Sequence, residues 1–318
     1  MTIKKKVTIS LIMILILSSS ICFLLYKRNY NLKYKNINFK SMKVIDYIKS
    51  ADEASKGKLQ VNWKQMAALD AVRYKNNLSE STEESRLDLA NMFLEENKGE
   101  FKVKNSNYRI ISMDEVMTKL EFKEKEKERA NKYLKDLEYR GLLKEELDKD
   151  SVQTDFINSI KEGAIEGYTR YGIFPSVTIA QAILESGWGK SDLTVKANNL
   201  FGIKADKGWK GEKVSMKTSE YNNQIITDNF RVYKSINDSI TDHREFLYNN
   251  PRYSKAGVFQ ATHYIEQAQA IEKGGYSTVE NHKGEKVYSD LLITLIRDYN
   301  LQLVDYEVEM KYLKGEIR

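Results

Sequence analysis

Cysteine occurs once in this 318-residue chain, proline twice and histidine three times. The single cysteine, Cys22, lies inside an N-terminal apolar run, so everything after it is cysteine-free. That excludes a disulfide framework and a cysteine-based zinc site. His243, His263 and His282 show no metal-like spacing, so neither a metal nor a cofactor is expected. A large excess of one charge is also missing. The net charge of +6 is mild for this length. It suits an anionic partner such as a phosphate-bearing polymer or lipid headgroups but selects none, and no nucleic-acid partner is expected. No internal repeat is visible. What remains is 41% apolar residues, enough for a real core, and 30% charged residues, which require much solvated surface. The length allows one or two domains with appendages.

One long apolar run is present. Lys4, Lys5 and Lys6 precede Val7 to Tyr26, which carry no charge. A helix of that length spans a bilayer core. Ser18 and Ser20 imitate a signal-peptidase site, but the apolar residues continue past them, and Ile21 before Cys22 is a poor lipoprotein signal. The expectation is a tail at residues 1–6 on the inner side, an uncleaved single-pass transmembrane helix at 7–26, and the remainder outside. Lys27 and Arg28 make the far flank positive too, so the orientation preference is modest.

Residues 27–154 form the next segment. They lack proline and carry helical patterns, such as Trp63, Met66, Ala67, Leu69, Ala71 and Val72. The run Phe122 to Arg129 alternates Lys and Glu at helical pairing distance, a solvated face, with Leu134, Leu137 and Leu142 on the apolar side and Gly141 as a stop. The segment reads as a helical stalk or accessory domain next to the membrane. An envelope protein partner for it stays open.

From Asp155 the texture changes. Pro175 and Ser176 open an apolar helix as first-turn proline and cap, and a Gly-, Asn- and aromatic-rich loop follows it. Two strand-like runs, Lys213 to Tyr221 and Gln224 to Tyr233, flank Asn222-Asn223, a tight hairpin turn. Helices return at Ile236 to Tyr248, Ala261 to Ile271 and Asp290 to Tyr299. The fold class is α+β: a mainly helical domain over 155–303 with a small β-hairpin lobe, then a polar C-terminal tail at 304–318.

The stretch Ala180 to Lys190, AQAILESGWGK, carries the chemistry. It sets one carboxylate, Glu185, at the end of an apolar helix, just before a turn of Gly187, Trp188 and Gly189. Burial among Val177, Ile179, Ile183 and Leu184 raises a carboxyl pKa, and Trp188 is placed to wall the pocket. A carboxylic acid held protonated near neutral pH is what glycoside cleavage needs as general acid. Taken alone, the same residue reads equally well as a helix-end glutamate facing water.

The surrounding words decide between these readings. AQAILESGWGKS, NNLFGIK, TSEY, FRVYKS, NNPRYSKAG and GGYST, in this order, resemble the glucosaminidase family, glycoside hydrolase family 73. The resemblance covers about residues 155–302. It implies a lysozyme-like fold and an endo-β-N-acetylglucosaminidase that cleaves bacterial peptidoglycan glycan strands after N-acetylglucosamine. It implies Glu185 as general acid and Glu220, at the hairpin end of its strand, as second catalytic carboxylate. Asp242, after FRVYKS, is a secondary candidate. It also implies that Trp188, Asn199, Phe201, Tyr253 and Tyr276 bind substrate by stacking and hydrogen bonding. The chain departs from the family where a longer polar insertion, Val279 to Tyr288, follows the glycine-tyrosine word. With the N-terminal run, the resemblance places the protein in a bacterial cell membrane with its catalytic domain outside. A muramidase or lytic transglycosylase remains the neighbouring reading, and a non-catalytic wall-binding or scaffold module the distant one.

Overall fold

A computed structural model describes residues 18–27, 36–99, 102–103, 105–139, 151–220 and 224–317. Residues 18–27 are helical, and the rest of the expected membrane span at 7–26 lies outside the described residues. Among the described residues no helix is long and apolar enough to cross a membrane.

The first half holds α1 (Val44–Ser55), α2 (Trp63–Arg73), α3 (Glu83–Asn91), the antiparallel pair β1 (Leu94–Glu96) and β2 (Tyr108–Ile110), α4 (Met113–Lys119) and α5 (Glu124–Tyr139). Local signals fix these ends. Ser112 and Glu115 exchange side-chain and backbone hydrogen bonds as a capping box at α4. In α2 the predicted stripe of Trp63, Met66, Ala67, Leu69, Ala71 and Val72 is buried, and α2 packs on α5 and α1. The charged run at 122–129 feeds α5, whose buried side is Ala130, Tyr133 and Leu137. Gly141 and Leu142 lie outside the described residues.

The second half holds α6 (Val152–Tyr171), α7 (Pro175–Ser186), α8 (Asp192–Ala197), the hairpin β3 (Lys213–Glu220) and β4 (Gln224–Arg231), α9 (Ile236–Asn249), α10 (Pro251–Ala256), α11 (Tyr264–Lys273), α12 (Tyr288–Asp298) and α13 (Gln302–Leu313). β3 and β4 pair in register from Lys213 with Arg231 to Glu220 with Gln224. Helix α7 is the centre: its residues from Pro175 to Ile183 are all buried, because α6, α11, α12 and α13 pack around it. A helix apolar on every side can only be an internal one.

The segment expected as a stalk or accessory domain, 27–154, packs on the second half through its described residues. Its buried residues join those of the second half in one apolar cluster, and polar ties cross between the halves: Trp63 Nε1 donates to Asn300 Oδ1 (3.0 Å) and Gln60 N to Glu309 Oε2 (2.8 Å). The polar tail expected at 304–318 is largely α13, with Val304, Asp305, Val308, Glu309 and Tyr312 buried. Its charged residues misled because Asp305 and Glu309 serve inside. Asp305 accepts hydrogen bonds from the Ser176 amide (2.9 Å) and the Ser176 hydroxyl, and so satisfies the first turn of α7, which lacks a side-chain cap of its own.

Burial is the main influence on Asp305 and pushes its carboxyl up to about 8, while the bonds from Ser176 oppose it. A group whose folded pKa is raised stabilises fully below its unfolded pKa and loses that contribution as pH climbs through the folded value. Thermal unfolding should therefore show the Asp305 contribution to stability falling from about pH 4 to about pH 8. Asp305→Asn should flatten that slope, and Asp305→Ala should cost about 1–3 kcal/mol by stranding the Ser176 amide.

Candidate active site

Helix α7 stops where its sequence demands. Gly187 adopts φ 55° as C-cap, and Trp188 (φ 64°) and Gly189 (φ 73°) continue in the left-handed region. Two glycines enter that region without penalty, whereas a tryptophan does not. Trp188 is held there by its ring, packed edge-on against Tyr299 (4.7 Å between centroids) and Phe156 (6.0 Å). A Cβ at Gly189 would sit 2.8 Å from the Phe156 ring, so close approach also requires glycine there. The turn leaves Glu185, next to last in α7, as an exposed carboxylate at the end of a buried helix.

Three elements converge on that carboxylate. The Tyr288 hydroxyl, from the first residue of α12, donates to Glu185 Oε1 at 2.8 Å. Gln181, one turn before Glu185 on α7, donates from Nε2 to the same hydroxyl at 3.1 Å. The ring of Tyr276, just past α11, stacks on Tyr288 with centroids 5.4 Å apart and planes 27° off parallel. Tyr276 shares a 3.1 Å hydrogen bond with Nε2 of His243 on α9, and His243 stacks on Phe201 at 3.8 Å. The result is a continuous line from Glu185 through Tyr288, Tyr276 and His243 to Phe201.

The electrostatics of this line are set by burial. Glu185 opens to solvent, yet the protein packed around its carboxyl strips enough hydration to raise its pKa, and the bond from Tyr288 opposes that rise. Desolvation alone drives His243 down to about 3, so the imidazole is neutral. Burial raises Tyr276 and Tyr288 well above the ordinary tyrosine range, and the nearby Glu185 adds to it, so both stay neutral donors. The line holds one acid and several neutral hydrogen-bonding groups. It can release one proton from Glu185 and steady the anion left behind through Tyr288.

The other predicted residues divide into two groups. Phe201 and Tyr276 belong to the line. Tyr253 lies next to it, its centroid 6.3 Å from that of Tyr276, fully buried, with its hydroxyl accepting from Arg252 at 2.7 Å. Trp188 props the turn through Phe156 and Tyr299. Asn199 is buried and ties its loop to β4: it accepts from Ile203 N and donates to the carbonyls of Ile203 and Arg231. Asp242 accepts two bonds from Arg231 Nη1 (2.9 and 2.8 Å) and one from the Tyr233 hydroxyl (2.6 Å), a fold-supporting ion pair. For Glu220 the backbone is fixed by pairing with Gln224, and its side chain lies outside the described residues.

Sequence alone assigns no site role to Gln181, His243 or Tyr288. Gln181 stands in the diagnostic word, and His243 lacks metal-like spacing. Tyr288 ends the polar insertion. The signal was available there, since Tyr288, Leu292 and Ile296 are spaced by four and all buried, which starts α12 two residues before Asp290.

Residues 161–301 match the family described as Glucosaminidase, mannosyl-glycoprotein endo-beta-N-acetylglucosaminidase. The chain is similar to the exo-glucosaminidase LytG of Bacillus subtilis, 36% identical over 167 residues, covering 51% of this chain and 55% of that protein. It is similar to the peptidoglycan hydrolase FlgJ of Vibrio parahaemolyticus, 38% identical over 129 residues, covering 39% and 42%. Among solved structures, the catalytic domain of the autolysin Auto from Listeria monocytogenes is 33% identical with a TM-score of 0.43, covering 54% of this chain and 94% of that one. The chain thus spans about half the length, or less, of these curated relatives.

Removing the Tyr288 hydroxyl tests the electrostatic balance. In Tyr288→Phe the carboxyl of Glu185 loses the bond that favours its ionised form, so the alkaline limb of the pH–rate profile should move to higher pH. The loss of a charge-assisted bond should also slow turnover by about ten- to a hundredfold. An unmoved limb would show that this bond does not tune the acid.

Proposed function

We propose that this chain, whose residues 161–301 match the glucosaminidase family, hydrolyses the glycan strand of peptidoglycan after N-acetylglucosamine. The observation that carries this reading is a single desolvated carboxyl, Glu185, open to solvent and backed by a neutral line of hydrogen bonds and stacked rings from Tyr288 to Phe201.

In the proposed reaction Glu185, protonated, gives its proton to the glycosidic oxygen as the bond to the anomeric carbon breaks. Positive charge then develops on the sugar ring, and the carboxylate left behind is held by the Tyr288 hydroxyl. Water adds to the anomeric carbon and yields a reducing-end N-acetylglucosamine. Glu220 is the group we assign to the opposite face of the sugar. Its strand ends at the hairpin tip, where its backbone pairs with Gln224. There it activates the water or stabilises the oxocarbenium-like charge. Tyr276, partly exposed, supplies a ring face along the cleft, and the fully buried Tyr253 backs it.

We also assign the run Val7 to Tyr26 as a membrane anchor, supported by its length, its lack of charge and the preceding lysines. Cell fractionation should recover the full-length chain with membranes, and a soluble product starting near Ile21 would sink the anchor.

Mass spectrometry of the muropeptides released from purified walls tests the bond assignment. Fragments ending in reducing N-acetylglucosamine are expected. Reducing N-acetylmuramic acid would indicate a muramidase, and anhydromuramic ends a transglycosylase, which needs no activated water. Glu185→Gln should lower release by about a hundredfold or more, the usual worth of a positioned general acid. Unchanged release by that variant would return the chain to the wall-binding reading.

A further inference from the structure

The N-terminal unit, residues 36–139, precedes the family match entirely, yet it grips the two helices that build the candidate site. Helices α11 and α12 run antiparallel. At one end Glu272 of α11 accepts from the Ser289 amide (3.0 Å) and hydroxyl (3.2 Å) of α12, and this end presents Tyr276 and Tyr288 to Glu185. At the other end stand Tyr264, first residue of α11, and Arg297 in the last turn of α12. About 15 Å of helix separates the two ends.

Both far-end residues are held by one side chain of α1. Oδ2 of Asp52 accepts from the Tyr264 hydroxyl at 2.7 Å and from Arg297 Nε at 2.9 Å, with Arg297 Nη2 also 2.9 Å away. Asp52 is 2% exposed. Its surroundings complete the grip. Nε2 of His263, the cap of α11, shares a 3.0 Å bond with Oε1 of Gln60 and lies 4.0 Å from Asp52 Oδ1. The Gln60 amide in turn donates to Glu309 of α13. Burial drives His263 down to about 3, so Arg297 is the cation that faces Asp52.

We propose that Asp52 is a positioning residue for the acid Glu185: by tying Tyr264 and Arg297 to α1, it sets the axial placement of α11 and α12, and with it the reach of Tyr288 and Tyr276. The proposal rests on Glu185 being the acid of the proposed function. A buried ion pair broken on one side is costly to the fold, so a test needs a readout that fold support alone would leave still. Packed helices shift as units, and about 1 Å of sliding takes a 2.8 Å hydrogen bond beyond bonding distance.

The experiment titrates the Glu185 carboxyl by carbon-13 NMR in the full-length chain, assigned by its absence in Glu185→Gln, alongside thermal unfolding and the pH–rate profile on wall glycan. The groups facing that carboxyl are Tyr288 and Tyr276. In Asp52→Asn the titration point should move up, the direction expected for Tyr288→Phe, and turnover should fall about tenfold. The double variant Asp52→Asn/Tyr288→Phe should move no further than Tyr288→Phe alone, because both changes remove the same bond. Tyr264→Phe, which keeps the ion pair, should give a smaller upward shift even if Asp52→Asn unfolds. A lowered unfolding temperature with an unmoved titration point in Tyr264→Phe, or additive shifts in the double variant, would overturn the proposal. The titration is read without substrate. A wild type that leaves wall glycan intact while its Glu185 responds to Tyr264→Phe would therefore overturn the proposed function and uphold the positioning role.

Discussion

A helix buried on every side has only its ends with which to do chemistry, and α7 is such a helix. Its first-turn amides cannot reach water and its own sequence supplies no cap, so the capping acceptor comes from outside, as Asp305 of α13. Its last turn cannot continue into the core, so the chain leaves through three left-handed residues that only a Gly-X-Gly sequence enters cheaply. Between these constraints the helix has one polar side chain to offer at its open end, Glu185. The stop, the cap and the acid are three consequences of the same burial.

The acid is poised by opposed effects of different origin. Crowding by protein favours the neutral form and a single hydroxyl favours the charged one. That hydroxyl belongs to Tyr288, whose orientation depends in turn on Gln181 and on stacking with Tyr276. Every further member of the line is neutral, which leaves Glu185 its one acid. Neutral partners suit an acid that must release its proton in one step and recover it in another. A cation in the place of His243 would hold Glu185 ionised.

The seam between the halves and the packing around α7 both rest on buried carboxyls. Asp52, Asp305 and Glu309 are all raised by burial, and Arg297 is the cation bonded to Asp52. A seam of this kind gains directionality: each carboxyl accepts from a specific donor, Tyr264, Ser176 or the Gln60 amide. A purely apolar seam would tolerate sliding, whereas these bonds fix one register between α1, α7, α11 and α13.

The local part of this protein was legible in its residues. The apolar stripe of α2, the Pro175 start and Gly187 stop of α7, the β3–β4 hairpin and the exposed carboxyl at 185 follow from side-chain shape, helical period and backbone freedom, all of which act within a few residues. At Asn199 and Asp242 the sequence shows a polar side chain but not its partner, and their partners, Ile203 and Arg231, are fixed only when β4 folds back. The charged C-terminal stretch looked like a tail because Asp305 and Glu309 are polar by type, and only the packing of α13 on α7 makes them buried acceptors. By itself the sequence determined where α7 would end and which carboxyl would stand at that end. Which groups surround that acid was decided by tertiary structure, because Tyr288 lies 103 positions from Glu185 and Asp52 lies 245 from Arg297, and contacts at such separations exist only once the chain has packed.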